Sequence, residues 1–338
     1  MTGRTKALIA TAALAAVVIV ILVVTDPFQS GSSRSITGPT PRPATTLGRE
    51  APATPARGAY LGAWVMPSVY SQPGRIAAVQ ALQREIGRRL DIVHIYVQQE
   101  AAFPTTSELA FLRQGSRLLV SWALNDSRGI AAGRYDALIR QKAKQVKALG
   151  KPIFLEWRWE MDRPNLRAEV GSPADYIAAW KHIRAIFAQQ HVSNAAWVWC
   201  PTARGFANGT AGAYYPGNSE VDWVCADSYP GLGGYRSFAD VVGPFLAWAA
   251  HHPKPVMIGE YGVPASYTPQ QRARWLRSAA QTVEANPQVK AMVYFDANPP
   301  GHLPNRSFAL DSPAAVQAFR SIADDRYFNP LSVPVTAP

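Results

Sequence analysis

The 338-residue chain has little charge and almost no cysteine. Charged residues make up 17% of it, below the roughly one quarter usual in soluble domains. Its two cysteines, Cys200 and Cys225, form no CxxC pair, which argues against a structural zinc site. In an exported protein two cysteines can pair with each other, so the alternatives here are a disulfide and two buried thiols.

Basic runs are also missing, although the formal net charge is +11. The arginines and lysines are scattered, and neither a zinc-finger spacing nor an aromatic RNA-binding motif occurs. The sequence therefore predicts no nucleic-acid partner. Anionic lipid and an acidic cell envelope stay open as neighbours, and the charge favours a generally basic exported protein.

The N-terminus carries a targeting signal. Arg4 and Lys6 precede an apolar run from Ala7 to Val24, which is long enough to cross a bilayer as a helix. Its basic flank would stay in the cytoplasm. No small-x-small cleavage site follows Val24. We therefore expect an uncleaved single-pass membrane anchor over residues 1–25, with the body outside the cytoplasm. The alternative is a cleaved signal and a secreted protein.

Proline, serine and threonine dominate residues 26–57, a composition that predicts a disordered linker. The body then spans residues 58–330, followed by a tail over 331–338. Eight short apolar segments recur in the body, at 59–66, 90–97, 116–123, 151–160, 195–200, 221–229, 254–262 and 290–298. Helical patterns between them include 75–89, 135–149, 174–190 and 269–285. Ser172, Thr268 and Ser312, each followed by proline, are predicted helix N-caps.

Strands that alternate with helices predict parallel pairing through crossovers. The apolar strands indicate that both faces of the sheet are covered. Eight such units in about 270 residues match a closed (β/α)8 TIM barrel. No GxGxxG fingerprint follows the first strand, which argues against a dinucleotide-binding sheet.

Functional residues of such a barrel lie at the carboxyl ends of its strands, where this sequence places aromatic and acidic side chains. Aromatic faces bind sugar rings, and a pair of carboxyl groups can cleave the bond between them. Glu160 and Glu260, on the fourth and seventh strands, are predicted to face each other across the mouth. The candidate substrate-binding residues are Trp64, Trp122, Trp159, Trp199, Asp227, Tyr261 and Tyr294.

Deeper in the fourth strand, Glu156 and Arg158 stand two residues apart. Alternate residues of a strand share a face, so these two are predicted to form an interior ion pair. Breaking a buried ion pair leaves an uncompensated charge, which favours a structural over a catalytic role.

Five segments resemble, in the same order, the strand-end motifs of glycoside hydrolase family 26. They are KPIFLEWRWEMD, AAWVWCPT, YYPGNSEVDWVCADSY, KPVMIGEYG and YFDAN. The resemblance implies a (β/α)8 retaining β-mannanase-like enzyme with Glu160 as general acid/base and Glu260 as nucleophile. Tyr229 would orient the nucleophile by a hydrogen bond. Retention requires carboxyl groups about 5 to 5.5 Å apart, and no metal or organic cofactor is implied.

One departure from that family keeps two hypotheses open. The family has histidine immediately before the acid/base, where this chain has Trp159. The first hypothesis is a monomeric hydrolase of O-glycosyl bonds in a β-linked polysaccharide, whether mannan-like, xylan-like, a β-glucan or an envelope or exopolysaccharide. The second is a membrane-tethered glycan-binding protein on the same barrel, with weak or no catalysis.

Overall fold

Eight parallel strands close into a barrel in sequence order, which confirms the predicted (β/α)8 fold. The computed structural model describes residues 50–231, 233–299 and 307–336. The strands are β1 (Tyr60–Val65), β2 (Ile92–Gln98), β3 (Arg117–Ala123), β4 (Ile153–Trp157), β5 (Ala195–Trp199), β6 (Trp223–Ser228), β7 (Val256–Tyr261) and β8 (Val289–Asp296).

Helices cover the outside of the barrel. They are α1 (Gln72–Glu85), α2 (Thr106–Arg113), α3 (Ser127–Ala131), α4 (Asp136–Leu149), α5 (Arg167–Val170), α6 (Pro173–Gln189), α7 (Ala203–Ala207), α8 (Phe238–Ala249), α9 (Pro269–Glu284) and α10 (Pro313–Asp324). The predicted N-caps Ser172, Thr268 and Ser312 are confirmed, since each hydroxyl accepts a backbone N–H from the first turn of its helix. Each cap supplies a partner to an N–H group that the helix itself leaves unpaired.

Alternate side chains of each strand enter two different cores. One core lies inside the barrel and includes Tyr60, Leu119 and Phe154. The other, between strands and helices, takes the neighbouring positions, such as Leu61 and Leu155. This alternation follows from the two-residue period of a strand, and it decides which side chains can reach the mouth.

The fourth strand is shorter than predicted. It ends at Trp157, three residues before Glu160. Arg158 and Glu160 both have positive φ, at 50° and 52°, a conformation that non-glycine residues seldom adopt. The alternation of side chains therefore stops at Trp157, and the following residues are aimed by a turn.

Two predicted boundaries change at the ends of the barrel domain. Residues 50–57, assigned to the linker, are placed against the barrel, where Pro52 and Pro55 are buried and the Tyr60 hydroxyl donates to Ala53 O at 2.8 Å. The tail from residue 331 also packs on the domain, because Thr336 N donates to Gly87 O at 2.8 Å. The predicted anchor over residues 1–25 and the linker over 26–49 lie outside the described residues. Within the part that the structure describes, no helix has both the length and the apolar character needed to cross a membrane.

Candidate active site

A bulge in β7 aims Glu260 into the barrel mouth. Ile258 pairs with Ala226 and Glu260 with Asp227, so Gly259 is an extra residue between two consecutive partners. If Gly259 were paired as an ordinary strand residue, strict alternation would turn Glu260 outward, on the same side as Ile258. Bulges often re-aim a side chain beside an active site. Only glycine fits here, since a Cβ on Gly259 would lie 2.4 Å from Cys225 Sγ.

Two tyrosine hydroxyls hold the Glu260 carboxylate. Tyr229 donates to Oε2 at 2.7 Å, and Tyr96 donates a short hydrogen bond to Oε1. Burial and then the charge of Glu160 raise the pKa of Glu260 to about 7, while the hydrogen bonds from Tyr96 and Tyr229 act to lower it. The site thus fixes the orientation of Glu260 and makes its charge sensitive to pH near neutrality.

Glu160 occupies a tight turn after β4. Its backbone N–H donates to Cys200 O at 2.8 Å, and Arg163 N donates to Glu160 O at 3.0 Å. The side chain is 11% exposed, and its Oε2 forms an ion pair with Nη1 of Arg163. The charge of Glu160 raises the pKa of Glu260, so the ionisation of the two predicted carboxyl groups is coupled.

The predicted ion pair between Glu156 and Arg158 is wrong. Arg158 donates from Nη2 to Glu169 Oε2 at 2.5 Å, and its guanidinium lies 5.7 Å from the ring centre of Trp159. Glu156 instead accepts a short hydrogen bond from Ser121 inside the barrel. The strand ends between the two residues, so they do not share a face.

A buried polar cluster lies inside the barrel. Ser121 joins Glu156 to His94, whose Nε2 lies 2.7 Å from Ser121 Oγ. Burial raises the pKa of Glu156 well above its usual range and lowers the pKa of His94 to about 3. His94 is therefore neutral near pH 7, and burial favours the protonated form of Glu156.

Asp227, predicted to bind substrate, is 3% exposed and stands opposite Glu260 in the β6–β7 register. Burial, with the nearby charge of Glu260, raises the pKa of Asp227 well above its usual range. Its Oδ2 has no hydrogen-bond partner among the described residues. The structure brings Asp227 to the site but covers it.

Aromatic rings form the wall of the mouth around Glu260. Trp64 stacks on Phe295 with ring centres 4.6 Å apart, and Tyr96 lies 5.0 Å from Trp159. Tyr229 lies 6.1 Å from Phe295. Trp64, which is half-buried, and Trp159, which is 8% exposed, thus lie among the aromatic residues around Glu260; their contact with substrate stays a prediction.

Four other predicted substrate-binding residues lie elsewhere. Trp122, Trp199, Tyr261 and Tyr294 have no exposed surface and pack in the outer core between strands and helices. Trp122 donates from Nε1 to Gln99 O, and Tyr294 donates to Phe308 O. These residues end strands, but their position in the two-residue alternation turns them away from the mouth.

Tyr96, Phe295 and Arg163 were absent from the predicted set of site residues. The alternation would have found two of them, since Tyr96 follows the inward-facing His94 by two residues and Phe295 follows Val293. Arg163 had no such signal, because the turn that places it next to Glu160 belongs to no strand or helix pattern.

The two cysteines form a disulfide between β6 and the residue after β5. Together with Glu156 their sulfur atoms make the one cluster of potential metal ligands found among the described residues. Metal binding by cysteine requires thiolates, so the disulfide form does not fit a metal there. The sulfur atoms instead pack against Gly259, directly before Glu260.

Comparisons with known proteins agree with this fold. The chain is 29% identical over 259 residues to endoglucanase H of Acetivibrio thermocellus, a match that covers 71% of this chain and 28% of that protein. It is 29% identical over 166 residues to β-1,3-xylanase TXYA of a Vibrio species, covering 45% of this chain and 33% of that one. A GH26 β-mannanase from Bacteroides ovatus superposes with a TM-score of 0.62 at 11% identity, covering 80% of this chain and 90% of its own.

The predicted resemblance to glycoside hydrolase family 26 is confirmed. No protein-family model matches the chain. The structural superposition establishes the shared barrel, and the chain spans about a third or less of the length of the two curated relatives. The roles of Glu160 as acid/base and of Glu260 as nucleophile stay predictions from the resemblance.

Proposed function

We propose that the protein is a retaining glycoside hydrolase that cleaves a β-linked polysaccharide by double displacement. The observation that carries the proposal is the arrangement around Glu260: two tyrosine hydroxyls fix its carboxylate at an aromatic mouth, and the charge of Glu160 acts on it. The curated relatives, an endoglucanase and a β-1,3-xylanase, support a polysaccharide as the substrate class.

In the first step the ionised Glu260 attacks the anomeric carbon. The bond from that carbon to the leaving oxygen breaks, and Glu160 gives its proton to that oxygen. The product is a glycosyl ester on Glu260 together with a shortened chain that carries a new hydroxyl group. Tyr96 and Tyr229 stabilise and orient the nucleophile through the hydrogen bonds described above.

In the second step water attacks the same carbon and the ester bond to Glu260 breaks. Glu160, now a carboxylate, removes the proton from that water, so both residues return to their starting forms. The anomeric configuration is retained because the carbon is inverted twice.

The direct test uses Glu260→Ala and Glu160→Ala on mannans, xylans and mixed β-glucans. Glu260→Ala should lose at least about a thousandfold in kcat, and added azide should restore turnover as an inverted glycosyl azide. Glu160→Ala should lose activity on polysaccharide but keep cleavage of dinitrophenyl glycosides, whose leaving group needs no proton. Glu284→Ala, at an exposed position in the last turn of α9, is the control. A Glu260→Ala protein that retains wild-type activity would sink the assignment.

A second candidate function is glycan binding without hydrolysis. It is favoured by the ion pair between Glu160 and Arg163 and by Trp159 in place of the histidine of family 26. An ion-paired carboxylate is the ionised form, whereas a general acid has to carry a proton. A glycan array that shows binding, together with no cleavage of any bound glycan between about pH 4 and 8, would support this function instead.

We further propose that the N-terminal segment holds a monomeric domain at the outer side of the cell membrane. The apolar run from Ala7 to Val24 and the preceding basic residues support this location. Fractionation of producing cells tests it: the full chain should be in the membrane fraction and accessible to protease added outside. A shortened chain in the culture medium would favour the secreted alternative.

A further inference from the structure

We infer that Arg163 recognises a carboxylate on the sugar, so that the substrate contains uronic acid units on the leaving-group side of the cleaved bond. The inference rests on the proposed function and narrows its substrate class. It starts from the position of Arg163, three residues after Glu160 and joined to it by both a backbone hydrogen bond and an ion pair.

Arg163 is held rigidly but is not sealed off. The turn from Glu160 to Arg163 fixes its backbone, and its side chain keeps 17% of its surface exposed. It has a further interaction besides the one with Glu160. A guanidinium carries five N–H donors, so it can keep contacts within the protein and still donate to a substrate.

Of the carboxyl groups around Arg163, Glu160 is the one that forms an ion pair with it. Glu160, Glu260 and Asp162 all act on the guanidinium. Asp162 is engaged elsewhere, because both of its oxygens accept from Thr202, at 2.9 and 2.5 Å. Glu260 is held by Tyr96 and Tyr229. Glu160 is thus the carboxylate that a substrate anion could displace from Arg163, while Asp162 and Glu260 keep their own hydrogen bonds.

Catalysis gives a reason for Glu160 to leave. In the ion pair it is ionised, but the first step needs it protonated and aimed at the leaving oxygen. A substrate carboxylate that replaces it on Arg163 would free Glu160 for that role. Arginine is well suited to the exchange, since its planar fork binds carboxylates through two parallel hydrogen bonds.

Sugar chemistry fixes where that carboxylate would lie. In a 4-linked uronic acid the leaving oxygen is on C4, and the carboxylate is attached to the adjacent C5. Because the Arg163 guanidinium contacts the Glu160 carboxylate itself, it would lie near the oxygen that Glu160 protonates and so near the carboxylate on C5. The net charge of +11 would also attract a polyanionic chain.

The test compares a β-linked polymer containing 4-linked glucuronic acid with the same polymer after its carboxyl groups are reduced to alcohols. The wild-type protein should cleave the acidic polymer at least about tenfold faster in kcat/KM. Arg163→Gln should bring the ratio to about one, and Arg163→Lys should leave an intermediate ratio, because lysine keeps the charge without the fork. Arg140→Gln is the matched control, since Arg140 also pairs with a carboxylate, at 2.8 Å, but on exposed α4.

Equal cleavage of the two polymers by the wild-type protein would overturn the inference, as would an unchanged ratio in a folded Arg163→Gln protein. A preference for a sulfated polymer over the uronic acid polymer would overturn the carboxylate assignment.

Dinitrophenyl glycosides of gluco-, xylo- and manno-oligosaccharides separate this inference from the proposed function. If they are hydrolysed without any uronate preference, only this inference fails; if none is hydrolysed, the proposed function fails and the inference falls with it.

Discussion

The Tyr229 hydroxyl donates a hydrogen bond of 2.7 Å to Oε2 of Glu260, across the end of β6 to the end of β7. A second tyrosine, Tyr96 on β2, contacts the other oxygen of the same carboxylate. Both oxygens of Glu260 thus accept hydrogen bonds from neutral donors. Such donors orient a nucleophile without neutralising its charge.

Removal of the Tyr229 hydroxyl should slow the reaction and shift its pH dependence. A hydrogen bond to a charged group contributes about 1.5 to 3 kcal/mol, so Tyr229→Phe should lower kcat/KM by about 10- to 100-fold. The same bond lowers the pKa of Glu260, and its loss should raise that pKa above about 7. Because the nucleophile must be ionised, the acid limb of the kcat/KM profile should move to higher pH.

The control for that experiment is Tyr327→Phe, which removes a hydroxyl bonded to the Val283 carbonyl near the opposite end of the barrel. It should leave the pH profile unchanged. A Tyr229→Phe protein whose acid limb moves to lower pH would contradict the proposed role.

A methyl group at Gly259 should displace the nucleophile. The added Cβ would meet Cys225 Sγ at 2.4 Å, Cys200 Sγ at 2.8 Å and Asp227 Oδ1 at 2.9 Å. We expect Gly259→Ala to cost about 1 to 3 kcal/mol of stability, as overpacked cores do, and to lower kcat at temperatures where the protein is still folded. Gly234→Ala, whose added Cβ would meet no atom beyond its chain neighbours within 4 Å, is the control and should change stability little. Full activity in folded Gly259→Ala would show that the bulge does not position Glu260.

Replacement of the buried Glu156 should stabilise the protein at neutral pH. Its pKa in the folded state is raised well above the ordinary 4.5 by burial, so the folded state binds more protons than the unfolded chain above that pH. Stability therefore falls as pH rises through this window. Glu156→Gln removes the effect and should raise the melting temperature by roughly 2 to 4 °C at pH 7, with little change near pH 4. Exposed Glu100→Gln is the control, and an equal gain at both pH values would contradict the explanation.

Trp64, near the end of β1, and Trp122, near the end of β3, should respond differently to substitution. Trp64 stacks on Phe295 at the mouth. Trp64→Ala should raise KM about 3- to 10-fold, because the lost ring contacts are worth about 0.5 to 1.5 kcal/mol. Trp122 is fully buried in the outer core. Trp122→Phe should lower the melting temperature and leave KM unchanged. Substrate titration of both proteins below their melting temperatures checks this, and a raised KM in Trp122→Phe would place its ring at the mouth after all.

The barrel was predictable because its signals are local. Apolar segments alternate with amphipathic ones, and serine or threonine before proline fixes helix starts such as Ser172 and Thr268. The strand ends also located Glu160 and Glu260, because parallel strands of a closed barrel bring their carboxyl ends together. The error over Trp122, Trp199, Tyr261 and Tyr294 came from choosing residues by their distance to the strand end rather than by which face they occupy.

By itself the sequence determined the order of the strands, the two carboxyl groups and the aromatic surplus, since these follow from periodicity and residue type. Tertiary structure alone decided the aim of the side chains. The bulge at Gly259 turns Glu260 inward, and the end of β4 at Trp157 separates Arg158 from Glu156. A turn then places Arg163 on Glu160. Each of these depends on backbone geometry and on contacts between distant strands, which no local pattern of residues specifies.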